Sequence, residues 1–81
     1  MRIRILFFAQ LRDALRTEES SVEANEGATV GEVVRSVLRD PRLDRFKELP
    51  MRFAVNEHFE ELNRTLHDQD TLAFLPPVAG G

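Results

Sequence analysis

The chain has 81 residues, 42% of them hydrophobic and 31% charged, with a formal net charge of −3 and no cysteine. This is enough for one small domain close to the size at which a single core stabilises a fold unaided, and the composition is globular, not disordered. The missing cysteines exclude a thiol nucleophile, a zinc ribbon and a disulfide framework. The acidic balance argues against broad attraction to nucleic acid, and no apolar run approaches membrane-spanning length. A strand pattern begins at Arg2, which leaves no room for a signal peptide, so a cytoplasmic protein is expected. A chain this small favours carriers and binding modules over enzymes with a roomy cleft.

Ile3, Ile5 and Phe7 alternate with Arg2, Arg4 and Leu6, which predicts a strand over residues 2–8. Gln10 to Arg16 suits a short helix with Leu11, Ala14 and Leu15 on one side. Residues 17–21 read as a polar loop, Ser21 to Asn25 as a weaker strand around Val22 and Ala24, and Glu26-Gly27-Ala28 as a turn. Thr29 and Glu32 have capping-box spacing. Val30, Val33, Val34, Val37 and Leu38 then line one helical face, and the helix runs to about Arg39, ahead of Pro41. A further turn of helix is expected over Leu43 to Leu49, ended by Pro50. Phe53 and Val55 mark a third strand, Asn56-Glu57-His58 a turn, Phe59 to Leu62 a return strand, and Asp68-Gln69-Asp70 another turn. Thr71 to Leu75 is the last strand, apolar on both faces. No repeat or linker divides the chain, and the mixture of signals points to an α+β fold with helices on one face of a sheet.

The most informative segment is Pro76-Pro77-Val78-Ala79-Gly80-Gly81. Two prolines fix φ, withhold backbone donors and resist helix, so a tail over 76–81 should leave a domain of residues 1–75 extended. Six residues reach roughly 20 Å. Gly80 and Gly81 carry no side chain beyond Cα, so the tip fits a channel too narrow for other residues, and the group it delivers is the Gly81 carboxylate.

Leu6-Phe7-Phe8-Ala9-Gln10-Leu11-Arg12 and Ala73-Phe74-Leu75-Pro76-Pro77-Val78-Ala79-Gly80-Gly81 resemble the molybdopterin synthase small-subunit family, sulfur carriers of the ubiquitin-like β-grasp class. Gly27-Ala28-Thr29-Val30-Gly31-Glu32 and Ala54-Val55-Asn56 resemble that family's helix start and third strand. Gln69, and Glu57 after the asparagine, stand where the family often has glycine. The resemblance implies that an ATP-dependent adenylating enzyme activates the Gly81 carboxylate, that a sulfur donor enzyme converts it to a thiocarboxylate, and that the tail then enters the large subunit of the synthase, two small subunits serving a large-subunit dimer. No cofactor would be held stably, since ATP is used by the partner.

A β-grasp also implies that the first and last strands are parallel neighbours. Ile3, Ile5, Phe7, Leu72 and Phe74 then face the helix. Leu6, Phe8, Ala73 and Leu75 face out, with Phe8 beside Leu75 where the tail departs. Leu6, Phe8, Leu75, Pro76, Pro77 and Val78 are the candidate apolar contact surface for the large subunit, with Arg12 at its rim. His58 and His67 lack further ligands for a metal site, and Asp68 and Asp70 suit turn formation better than calcium binding. Glu57, Glu60 and Glu61 read as a solvated surface, and Gly27 to Gly31 lacks the lysine of a phosphate loop. The arginines at 35, 39, 42 and 45 have no stacking aromatics for nucleic acid. A carrier for thiamine or another thiolation pathway, and a β-grasp binding module without tail chemistry, are the competing functions.

Overall fold

The structure is a computed structural model that describes residues 1–77. Its first strand, β1 (Arg2–Phe7), buries Ile3, Ile5 and Phe7 and exposes Arg2 and Arg4. Helix α1 (Ala9–Leu15) buries Leu11 and Leu15 and ends at Arg16 in the left-handed region. Strand β2 (Glu19–Glu23) follows, then helix α2 (Val30–Val37), a 3₁₀ helix over Pro41–Phe46, and strands β3 (Arg52–Val55), β4 (His58–Phe59) and β5 (Thr71–Leu75). The five strands form one mixed sheet in the order β2-β1-β5-β3-β4. β1 and β5 are parallel, and the other neighbouring pairs are antiparallel. A parallel pair cannot be joined by a tight hairpin, so all the intervening chain is spent between the two central strands.

Register sorts the side chains into two faces. On the inner face Ile5, Leu72 and Val55 form one row across three strands, and Phe7, Phe74 and Phe53 form the next. Phe74 is fully buried, with its ring centroid 5.6 Å from Phe7 and 5.3 Å, edge to face, from Phe53. Val30, Val33 and Val34 of α2 complete this core, with Leu43 and Phe46 of the 3₁₀ helix. The Thr29 hydroxyl accepts from the Glu32 amide at 3.3 Å, which caps α2 as the spacing suggested.

Several boundaries differ from the sequence expectation, each for a local reason. The strand stops at Phe7, not residue 8. Ala9 has φ +50° and reverses the chain, which leaves Phe8 as the extended residue ahead of α1. β2 begins at Glu19 because Leu6 and Glu19 are partners in the β1–β2 ladder; its polar residues follow the neighbour's register over their own propensity. α2 ends at Val37, two residues short of Arg39. Asp40, before proline, is extended, and its carboxylate accepts from the Arg42 amide at 2.9 Å, so Pro41 opens the next helix. That turn of helix thus spans 41–46, not 43–49.

The return strand is also shorter and earlier than expected. Asn56 and Glu57 have φ +50° and +74° and make a two-residue hairpin loop that places Phe59 opposite Ala54. After β4 the chain leaves the sheet for the start of α2: the Gly31 amide donates to the Leu62 carbonyl at 2.8 Å and the Leu66 amide to the Ala28 carbonyl at 2.8 Å. A Cβ on residue 31 would meet that Leu62 oxygen at 3.2 Å, so the approach suits glycine. Leu66, unmarked by any periodicity, is buried in the core by this route.

The turn before β5 is tied to both neighbouring strands. The Asp68 carboxylate accepts from the Arg2 amide at 2.7 Å, which holds its pKa below the ordinary value of 3.8. Asn56 accepts from the Thr71 amide and donates to the Asp70 carboxylate, both at 3.0 Å. Glu57 and Gln69, at φ +74° and +72°, both hold a left-handed conformation that strains a residue with a Cβ. Glu57→Gly should therefore raise the unfolding free energy by up to about 1 kcal/mol, as relief of that strain outweighs the greater freedom of glycine in the unfolded chain. A higher urea midpoint at unchanged slope is the expected readout.

Candidate functional site

The opposite face of the sheet carries no helix among the described residues. Leu6, Ala73, Ala54 and Phe59 form a row across four strands, and Leu75 and Arg52 are partners in the next. Phe8 lies one step beyond the Phe7–Phe74 pair, at the end of β1 next to Leu75. Leu6, Phe8, Ala54, Phe59, Ala73 and Leu75 line an open concavity of about 680 Å³, bounded at its far end by Arg4, Thr71, Asn56 and Glu57. Phe8 is 41% exposed and Phe59 58%, large apolar surface for so small a domain. Leu6, Leu75, Pro76 and Pro77 are half-buried. The chain leaves the domain from β5 at the Leu75 end of this concavity.

Leu6, Phe8 and Leu75 thus line one surface, and Pro76 and Pro77 follow directly from Leu75. Arg12 sits on the other side of Phe8, its guanidinium 3.8 Å from Glu18 and 4.0 Å from Asp13. Val78, Gly80 and Gly81 lie outside the described residues. Phe59 is a member of the surface that the sequence reading placed in a longer return strand without a role. Its place follows from a hairpin length that the sequence does not mark: a loop of two residues puts 59 across from 54, on the face that Ala73 and Leu6 share.

Electrostatics confine the charge to the margins. Arg2 pairs with Glu23 at 3.1 Å and Arg4 with Glu19 at 2.9 Å across the β1–β2 ladder, and the Glu19 hydrogen bond raises the Arg4 pKa further. Such exposed pairs add little to stability. Among the described residues no polar or charged side chain is buried. What this face can do chemically is bind an apolar partner surface within a charged rim and present the chain that follows β5.

The sequence profile of the ThiS family matches residues 5–81. The chain belongs to that family. Among ThiS-family relatives, the molybdopterin synthase sulfur carrier subunit of Mycobacterium tuberculosis is 36% identical over 84 residues, covering 100% of this chain and 99% of its own. SAMP1 from Haloferax volcanii superposes with a TM-score of 0.87 at 23% identity over the full length of both chains, which establishes the ubiquitin-like β-grasp fold. A chain in the complex of subunits 1 and 2 of molybdopterin-converting factor from Helicobacter pylori is 26% identical, with a TM-score of 0.73 and full coverage of both.

The two aromatic layers of this ThiS-family domain should respond differently to truncation. Phe8→Ala and Phe59→Ala, on the open face, are expected to change the unfolding free energy by no more than about 1 kcal/mol. Phe74→Ala, in the core, should cost about 3–5 kcal/mol. Urea unfolding of the three variants checks the contrast, and a Phe8→Ala loss as large as that at Phe74 would mark Phe8 as core.

Proposed function

We propose that this chain is a sulfur carrier, the small subunit of a molybdopterin synthase. The observation that carries the reading is the apolar concavity at the point where the Gly-Gly-ending tail departs, in a chain whose relatives include molybdopterin synthase sulfur carrier subunits. In this scheme the sheet face around Leu6, Phe8, Phe59 and Leu75 docks on the large subunit, and Pro76, Pro77 and Val78 direct the tail into it. Arg12 contributes at the rim. Gly80 and Gly81 are slim enough to enter a narrow channel. The complex of subunits 1 and 2 from Helicobacter pylori supports a large-subunit partner.

The chemistry resides on the Gly81 carboxylate. One of its oxygens attacks the α-phosphorus of ATP on an adenylating enzyme and releases pyrophosphate. The acyl-adenylate then has a good leaving group, and a sulfide-level sulfur from a donor enzyme displaces AMP to give the thiocarboxylate. Near neutral pH that sulfur is a far better nucleophile than a carboxylate oxygen. In the large subunit it attacks a carbon of the cyclic pterin precursor, where a C–O bond breaks as the C–S bond forms and the oxygen leaves. Water then cleaves the acyl–sulfur bond, which leaves sulfur on the pterin and restores Gly81. A second thiocarboxylated chain supplies the other sulfur of the dithiolene. The carrier supplies position and a reactive terminus. The acid–base groups belong to its partners.

Intact-mass measurement tests the proposal. Incubation with ATP, a competent adenylating partner and a sulfur donor should exchange one oxygen for sulfur at the C-terminus, and an unchanged mass would reduce the chain to a plain binding module. Deletion of Gly81, or addition of one residue after it, should abolish sulfur transfer, since the reacting carbon is lost or displaced by about 3.5 Å. Phe8→Ala should leave the fold intact and weaken large-subunit binding at least about tenfold, as truncation of an aromatic anchor does at other interfaces. Dithiolene formed from the thiocarboxylated chain, pterin precursor and large subunit identifies the pathway and separates it from thiamine synthesis.

A further inference from the structure

The cations on the open face differ in what they have left to offer. Arg2 and Arg4 are committed to Glu23 and Glu19, and Arg12 faces Glu18 and Asp13. Arg52 has no carboxylate within 4.0 Å among the described residues, although its neighbourhood is acidic: Glu60 is taken by Arg64 at 2.8 Å. What holds Arg52 is Phe59. The guanidinium lies over that ring, 3.7 Å from its centroid, in a diagonal contact across β3 and β4. Stacking occupies the flat face of the guanidinium and leaves its N–H donors, which lie in the plane, without a partner among the described residues. Arg52 is also the register partner of Leu75, so this oriented donor edge stands beside the last strand residue before the tail.

We propose that Arg52, laid flat on Phe59, is a specificity determinant of the docking face and receives a carboxylate from the body of the partner through paired N–H donors. The proposal rests on the docking role assigned to this face above. A carboxylate suits the site because a planar, pre-oriented fork matches its two oxygens, and little side-chain freedom is lost on binding. The site is continuous with the apolar concavity, since Phe59 lines both. The recipient belongs to the partner's docking surface, because Arg52 stands on the sheet beside the last residue of β5.

Calorimetric titration of the full-length chain into purified large subunit without nucleotide, at low and high salt, tests the assignment. Arg52→Gln is expected to weaken binding about tenfold at low salt and to flatten the salt dependence. Arg52→Lys should recover only part of the loss, because an ammonium keeps the charge without the fork or the stack. Phe59→Leu, which keeps an apolar residue but frees the guanidinium, should also weaken binding. The urea midpoints of all three should stay close to that of the parent. Parent-like binding by Arg52→Gln, with Phe8→Ala weakened, overturns the role of Arg52 and leaves the docking face standing. Parent-like binding by both overturns the docking face itself. Full recovery by Arg52→Lys overturns the paired-donor recognition.

Discussion

The parallel pairing of β1 with β5 governs the rest of the molecule. It brings the first and last strands together at the centre of the sheet and so decides what each face displays. Inward, it aligns Ile5 with Leu72 and Phe7 with Phe74, the rows on which α2 rests. Outward, the same register sets Leu6 beside Ala73 and brings Phe8 to Leu75. Core and open face are two sides of one ladder, and a slip of one residue would exchange them. The bonds that secure the entry to β5 therefore matter beyond their individual strength. Arg2 binds the carboxylate of Asp68 through its amide, the Arg4 amide donates to the Asp70 carbonyl, and Asn56 clasps Thr71.

The strongly patterned parts of the fold were legible in the sequence. Alternation in β1 gave the correct face for Ile3, Ile5 and Phe7, and Thr29 with the valine stripe located α2. Their signals are local, so they survive without knowledge of neighbours. β5 is apolar on both faces, and the inward placement of Leu72 and Phe74 rested on the β-grasp resemblance. β2 was displaced because Ser20 and Ser21 have no preference that competes with the register of β1. Leu66 was invisible because it joins the core through a loop that hydrogen-bonds to the start of α2. The 3₁₀ helix starts at residue 41 and not 43 because Pro41, which cannot continue α2, has the fixed φ that opens the next helix.

For the functional surface, legibility stopped at the hairpin. Leu6 and Phe8 follow from strand parity in β1, and Leu75 from the parallel pairing that the β-grasp resemblance implies. Phe59 depends on counting the loop between β3 and β4 as two residues, and without a glycine at 57 that count had no sequence marker. Arg52 was harder still, for its significance lies in a stacking contact between strands and in the carboxylates that the other arginines already occupy. Composition records how many charges a chain has, while the structure records which are already neutralised by neighbours.

The position of β1 and β5 in the sequence also bears on when this surface comes into being. Ile5 and Leu72 are partners, so almost the whole chain must be threaded into a loop before they meet, and contacts of such separation form late and slowly. Phe8 and Leu75 become neighbours only at that point. A partner that grips both has nothing to hold on a nascent or partly unfolded chain, because neither end carries the surface alone. The two halves of the open face thus exist together only in the folded domain, at the end of the sheet where β5 stops.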